Sequence, residues 1–282
     1  MKTELRQLQA LYLTWQDQRT KHYYPVGRLV SGLGPEQPEY EFCYLRGTLP
    51  AQKIGFAPLL AFADLHRVYR SEEIFPLFQN RLMPPGRAEY RDYLANLGVD
   101  PDHASPMDVL MRSGGGRATD SLEMVEVPRM AEEGHPFQTH FLAHGLRYLH
   151  PSSLNRIESL RPGDPLRILH DCQNEADRTA LALRTEDRVL VGYMPRYLLG
   201  DAFELIQTCE IVEVSVGRVN PAPAPLQQRL LCKFEACWPP EFRPFCHEHY
   251  LPIPPDATDL TGWCLRETHK TPETGGPTAP WR

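Results

Sequence analysis

From residue 139 to residue 234 the chain is cut into short apolar-rich runs bounded by turn formers, and this spacing admits little other than a small, mostly β domain. Runs at 139–149, 166–170, 180–184 and 189–193 have strand length and strand composition. Residues 195–207 then carry Leu198, Leu199, Phe203, Leu205 and Ile206 in one compact helix. Ile211, Val212, Val214 and Val216 follow as an alternating strand, and a last strand spans 228–234. Four strands, a helix and two strands predict a curled sheet or open barrel closed by one helix.

The N-terminal half is patterned differently. Aromatic and branched residues flank turn formers over 15–30, and YEFCYL at 40–45 alternates as a half-buried strand does. From Ser71 the period becomes helical, first through Ile74, Leu77, Phe78 and Leu82, then through Tyr90, Tyr93, Leu94 and Leu97 up to Gly98. Ser105-Pro106 reads as an N-cap followed by proline at the first helical position, opening a helix over 107–112 that Gly114, Gly115 and Gly116 stop. A strand over 121–127 closes this part. The whole is α+β: a small N-terminal sheet with two or three helices, then a mostly β barrel with one helix.

Pro128, Gly134 and Pro136 among charges mark a linker, so two domains are expected, at 1–130 and 137–238. The segment 239–282 is Pro-rich and poorly patterned, and its TPETGGPTAP stretch (271–280) is expected to be disordered. With no stretch resembling a signal peptide and no apolar run near the ~20 residues that span a bilayer, the sequence reads as cytoplasmic and without membrane contact. Seven scattered cysteines, an odd number, argue for reduced thiols.

Charge sets limits on partners. The net charge is -6, and residues 137–238 hold 11 Lys and Arg against 12 Asp and Glu. Tight non-specific duplex binding, which rests on bulk positive charge, is thereby disfavoured, and phosphate contacts would need a local cluster.

Three motifs carry the functional reading of the second half: HGLRYL at 144–149, GDPLRILHDCQNEAD at 163–177 and VLVGYMPRYL at 189–198. In this order and spacing, residues 137–238 resemble the HIRAN domain. The resemblance implies a β-barrel-like module that binds DNA by engaging a single strand or its 3′ end, often beside a helicase-type or nuclease partner. The residues suit that task. Asp177 can accept a hydrogen bond from a terminal hydroxyl, Asn174 can donate and accept, and Arg147 can fork onto a phosphate, with Arg178 and Arg196 as further cations. Tyr148 and Tyr193 offer ring faces for a base. An Asn and an Asp in one loop are equally suited to turn formation, satisfied by their own backbone, and Gly192 suits close strand packing. Family members that grip a DNA end commonly carry an Asn-Pro-aromatic-Asp run; here Asn174-Glu175-Ala176-Asp177 lacks the proline and the ring.

Residues 24–128 are similar to the N-terminal subdomain of HipA-type kinases, through YPVGRL at 24–29, YEFCYL, the run 74–94 and the run 106–128. That resemblance implies a protein-interaction module, antitoxin-like or regulatory, with a HipA-like kinase or related partner. Phe75, Phe78, Leu82, Met83, Tyr90 and Tyr93 are either its docking surface or simply its core.

Other chemistry is thin. Cys232, Cys237, Cys246, His247, His249 and Cys264 are zinc-ligand types, but they form no pair of C-x-x-C knuckles, so no metal is expected. Gly114-Gly115-Gly116-Arg117 lacks the Gly-Lys-Ser/Thr ending of a phosphate loop. No nucleophile with a positioned base stands out, so no catalysis and no cofactor are expected.

Overall fold

The computed structural model describes residues 8–32, 39–117, 119–127 and 136–255. Five antiparallel strands form the N-terminal sheet: β1 (Gln9–Gln16), β2 (Tyr23–Ser31), β3 (Tyr40–Tyr44), β4 (Tyr69–Ser71) and β5 (Leu122–Glu126), in the order β4-β3-β2-β1-β5. Helices α1 (Thr48–Gln52), α2 (Pro76–Gln79), α3 (Tyr90–Leu97) and α4 (Pro106–Ser113) accompany it.

Local rules account for the two longest of these helices. Ser105 caps α4 by accepting from the Asp108 amide, while the Asp108 carboxylate accepts from the Ser105 amide, a reciprocal capping box with Pro106 in the first turn. Gly114 and Gly98 end α4 and α3 in the left-handed conformation. The helical period over 74–82 yields only the single turn α2, and α1 falls where no helix was expected. Phe78 is fully buried, and Phe75, Leu82, Tyr90 and Tyr93 pack half-buried against the cores of this half. Phe78 is therefore core, and the others keep part of their surface open to solvent.

The second half is a six-stranded antiparallel sheet: β6 (Phe137–Leu142), β7 (Pro165–His170), β8 (Leu181–Arg184), β9 (Leu190–Tyr193), β10 (Val212–Val219) and β11 (Leu230–Ala236), ordered β6-β11-β10-β7-β8-β9. Helices α5 (Pro151–Glu158) and α6 (Leu199–Thr208) complete it. The run expected as one strand over 139–149 instead ends at Leu142 and turns into a 3₁₀ turn, Leu146–Tyr148, before α5, which the apolar pattern did not reveal.

The sheet curls until its two edges meet. Past β6, the His144 amide donates to the Tyr193 carbonyl at 2.9 Å and the Tyr193 amide returns to the His144 carbonyl at 3.0 Å, joining β6's continuation to β9. Two glycines permit this closure. Gly192 has φ +147, and a Cβ there would lie 2.9 Å from the Ala143 Cβ and 3.2 Å from the His144 oxygen. Gly145 has φ +78, and its Cβ would lie 3.0 Å from Cδ2 of Tyr193.

The two halves share a core. Tyr12, Leu45, Val125 and Val127 of the first half pack in the same cluster as Phe137, Leu183, Val191 and Phe234 of the second. Residues 239–255 are ordered and run back along the first half, where the Arg46 and Gly47 amides donate to the Leu251 and His249 carbonyls and the Ile253 amide donates to Tyr44. Tyr12 meets Phe245 edge-on at 5.4 Å and Tyr250 at 4.8 Å. The 128–135 linker and the stretch 271–280 lie outside the described residues.

Reduced thiols were expected throughout, but Cys209 and Cys237 form a disulfide, with Cα atoms 5.8 Å apart. The cause is strand register: Val212 pairs with Ala236, which brings the residue just after α6 beside the residue just after β11. Cys43 and Cys232 are buried and unpaired by disulfides, Cys172 and Cys246 are exposed, and Cys264 lies outside the described residues.

Two expectations follow. Gly192→Ala imposes both a strained φ and a steric overlap at the closure, and should cost about 2 kcal/mol or more of stability in a denaturant titration. An unchanged midpoint would show that the edges do not depend on this approach. Asp201, on α6, is 5% exposed and accepts the Phe245 amide at 3.1 Å. Burial, with Glu204 adding to it, pushes its carboxyl up to about 7. The neutral acid is the form the fold prefers, so stability from this group is present below the ordinary carboxylate range and is lost as the pH rises toward 7. Asp201→Asn should raise the melting temperature at pH 8 and change it little at pH 4.

Candidate nucleic-acid interface

The β7–β8 loop, residues 171–180, is built from successive side-chain turns. Asn174 Oδ1 accepts the amides of Ala176 at 3.0 Å and Asp177 at 3.1 Å. Asp177 Oδ1 accepts the Thr179 amide at 3.0 Å and its hydroxyl at 2.6 Å. Asn and Asp here do satisfy their own backbone, as residues of these types do in turns.

They also do more, because the loop is tied to two other segments. Asp171 Oδ2 accepts from Asn174 Nδ2 at 3.2 Å and from the Tyr193 hydroxyl at 3.1 Å. Asp177 Oδ2 accepts from Arg196 Nε at 2.6 Å, with both side chains about one-fifth exposed. Arg196 continues through Nη2 to the Ala176 carbonyl at 3.0 Å and through Nη1 to the Thr20 carbonyl of the first half at 3.3 Å. Asn174, Asp177, Tyr193 and Arg196 thus belong to one hydrogen-bonded network centred on Asp171.

Electrostatics follow the contacts. Burial works to raise the Asp177 carboxyl, but the Thr179 hydroxyl and amide and the Arg196 guanidinium outweigh it and hold the group below the ordinary carboxylate range. Burial, aided by the Asp171 carboxylate, raises the Tyr193 phenol.

Arg147 and Tyr148 lie on the other side of the closure. They lie in the 3₁₀ turn that follows Gly145, whose backbone sits against the Tyr193 ring. Their side chains contact one another: the Arg147 guanidinium lies 4.6 Å above the Tyr148 ring and donates to its hydroxyl. Both are exposed, Tyr148 to 76%, so the outer ring face is open to a ligand. Arg178 is exposed and, with Asp177, Arg196, His22, Tyr23 and Tyr197, lines a cavity of about 510 Å³.

The zinc-ligand types are dispersed. Cys232 is fully buried on β11 with its thiol pushed far up by burial, Cys237 is in the disulfide, and Cys246, His247 and His249 are exposed in the segment after β11. Among the described residues no three His, Cys, Asp or Glu side chains gather into a metal site.

With this barrel, its closure and its polar loop in view, the family comparison is decisive for the second half. The chain carries a HIRAN domain. The family model for the HIRAN domain matches residues 137–238, which run from β6 through β11. Similar solved structures include a protein from Lactobacillus plantarum, at 18% identity over 35% of this chain and 96% of that one with a TM-score of 0.28. The HIRAN domain of human HLTF is similar at 16% identity over 36% of this chain and 74% of that one, with a TM-score of 0.26. No curated protein matches the chain. Among the described residues no helix is long and apolar enough to cross a membrane.

Two contributors to the interface were not legible beforehand. Asp171, the hub, stands in the quoted motif but carries no mark separating it from any loop aspartate. Thr20 lies 176 residues before Arg196, and nothing in the sequence couples the two.

The Asp177–Arg196 pair can be tested by its pH dependence. A carboxyl held low in the fold stabilises it above the ordinary carboxylate range, and that contribution is lost as the pH falls through the folded value. Asp177→Asn should therefore cost about 1–2 kcal/mol at pH 7 for a pair this exposed, and progressively less toward pH 3. A penalty of equal size at both pH values would show that packing, and not charge, holds the loop.

Proposed function

We propose that this protein binds nucleic acid through its HIRAN domain, engaging single-stranded DNA or a DNA 3′ end, without catalysing a reaction on it. The observation that carries the reading is the match of residues 137–238 to the HIRAN domain. Recognition then divides by chemistry. Tyr148, open on one face, stacks a base; Arg147 and the exposed Arg178 meet phosphates; and Asp177 accepts the terminal hydroxyl. Its Oδ1 already accepts twice from Thr179, whereas Oδ2 accepts only from Arg196 and keeps capacity for a further donor. With the proline and aromatic ring absent between Asn174 and Asp177, stacking falls to Tyr148. Arg196, bonded to Asp177, Ala176 and Thr20, positions the loop and keeps two further N–H donors for a phosphate.

Fluorescence anisotropy on the full chain tests this with single strands ending in a 3′-hydroxyl or a 3′-phosphate and with blunt duplex. The free-ended strand should bind best. Tyr148→Ala should cost about 1–3 kcal/mol, roughly a five- to 150-fold loss, on every strand. Arg147→Gln should lower affinity and reduce the salt slope by about one. Indifference to the end, with folded Tyr148 and Arg147 variants binding as the wild type does, would remove the proposed interface.

A further inference from the structure

A second cavity, of about 440 Å³, lies on the seam between the two halves. One wall is the end of α4 and the chain beyond it, with Arg112 and Arg117, together with Glu123 of β5; the other is His140 of β6 and His144. Its volume lies in the range of small-ligand sites.

Its walls carry Arg112 and Arg117 against Asp120 and Glu123, so formal charges cancel, yet one donor is left without a partner. Arg112 Nη1 is buried and meets no hydrogen-bond acceptor among the described residues. That nitrogen has lost water and gained no acceptor in return, which is unfavourable for a charged group. The nearby carboxylates are committed elsewhere: Asp120 pairs with Arg81, and Glu123 hydrogen-bonds the Tyr23 hydroxyl and lies 3.8 Å from His144 Nε2. Burial first, then the charges of Arg112 and Lys233 against a smaller pull from Glu235, push His140 down to about 4, so at neutral pH it is an uncharged imidazole with one N–H to donate. The cavity therefore presents the Arg112 Nη1 donor without an acceptor, beside the neutral His140 imidazole.

We infer that this seam cavity is a phosphate site, in which Arg112 and His140 hold the phosphate of a nucleotide. The acceptor it lacks is supplied by phosphate oxygens, to which a planar guanidinium can bond in pairs. A nucleotide is favoured over a free carboxylate by position: Tyr23 and Tyr197 line both this cavity and the one beside Asp177 and Arg178, so the two are neighbours along the seam. The nucleotide is either one unit of a bound strand or a free mononucleotide; the strand source rests on the function proposed above, and the mononucleotide source does not.

The test uses the full chain, with inorganic phosphate, AMP and a 3′-hydroxyl oligothymidylate as probes at matched ionic strength. Phosphate and AMP should raise the melting temperature of the wild type, and Arg112→Met should abolish the rise. The unliganded Arg112→Met protein should be as stable as the wild type or more so, because it removes a donor nitrogen that is buried without an acceptor; a purely structural arginine would give the opposite. Arg112→Lys keeps the charge but not the fork, and should weaken AMP binding several-fold, which preserves the test if the methionine variant fails to fold. A tenfold loss of oligothymidylate affinity in Arg112→Met identifies the strand as the source, and a loss confined to AMP and phosphate identifies the mononucleotide. Tyr148→Ala separates this site from the end-binding reading, since it should leave the response to phosphate intact. If folded Arg112 variants respond to all three probes as the wild type does, or the wild type responds to none, the site does not exist.

Discussion

The second half of this protein depends on one pair of backbone hydrogen bonds, those between His144 and Tyr193. A six-stranded sheet with both edges free would present two rows of unpaired amides and carbonyls. Joining β9 to the continuation of β6 satisfies part of each edge and turns the sheet into a half-barrel. The approach is so close that only glycine fits at position 192, and Gly145 makes the opposite turn with its backbone against the Tyr193 ring. The same two bonds set the 3₁₀ turn bearing Arg147 and Tyr148 next to the strand bearing Tyr193. Fold closure therefore also fixes the position of that turn against β9.

From that strand the order spreads through side chains. Tyr193 bonds Asp171, Asp171 bonds Asn174, Asn174 caps the amides that begin the Asp177 turn, and Asp177 holds Arg196. Each group is satisfied by the next, which lets a loop of this polarity stay half-buried. Arg196 then reaches Thr20 in the β1–β2 turn, so the conformation of the loop is coupled to the first half. Another part of the seam is aromatic, with Tyr12 against Phe245 and Tyr250 and the chain after β11 bonded along Tyr44–Gly47. A binding surface near this seam is shaped by both halves, although only the second carries the HIRAN domain.

Much of the architecture was legible in the sequence because local rules suffice for it. The alternation of YEFCYL, the Ser105-Pro106 cap with Asp108 three residues on, and the glycines ending α3 and α4 each specify an element by contacts within a few residues. Reading failed where local preference was weak or overruled. Helix α5 opens with Pro-Ser-Ser and buries little beyond Ser153 and Ile157, too few apolar positions to show a period. The 74–82 run has helical spacing but condenses to one turn, because its rings are claimed by the stacked aromatics Phe42, Phe62 and Phe78.

What the sequence by itself determined is helices α3, α4 and α6, the strand at 40–44, the β character of the second half, the HIRAN motifs and the candidate residues Arg147, Tyr148, Asn174, Asp177 and Tyr193. Only the tertiary structure decided how those residues are used: that Asp177 is engaged by Arg196, that Asp171 is the hub, that Cys209 and Cys237 meet, and that Arg112 is buried without an acceptor. The physical reason is the range of the interactions. Caps, turns and alternation are set by neighbours within about four residues, whereas strand register, the closing of an edge and the burial of a charge depend on segments that the chain brings together from tens to hundreds of residues away.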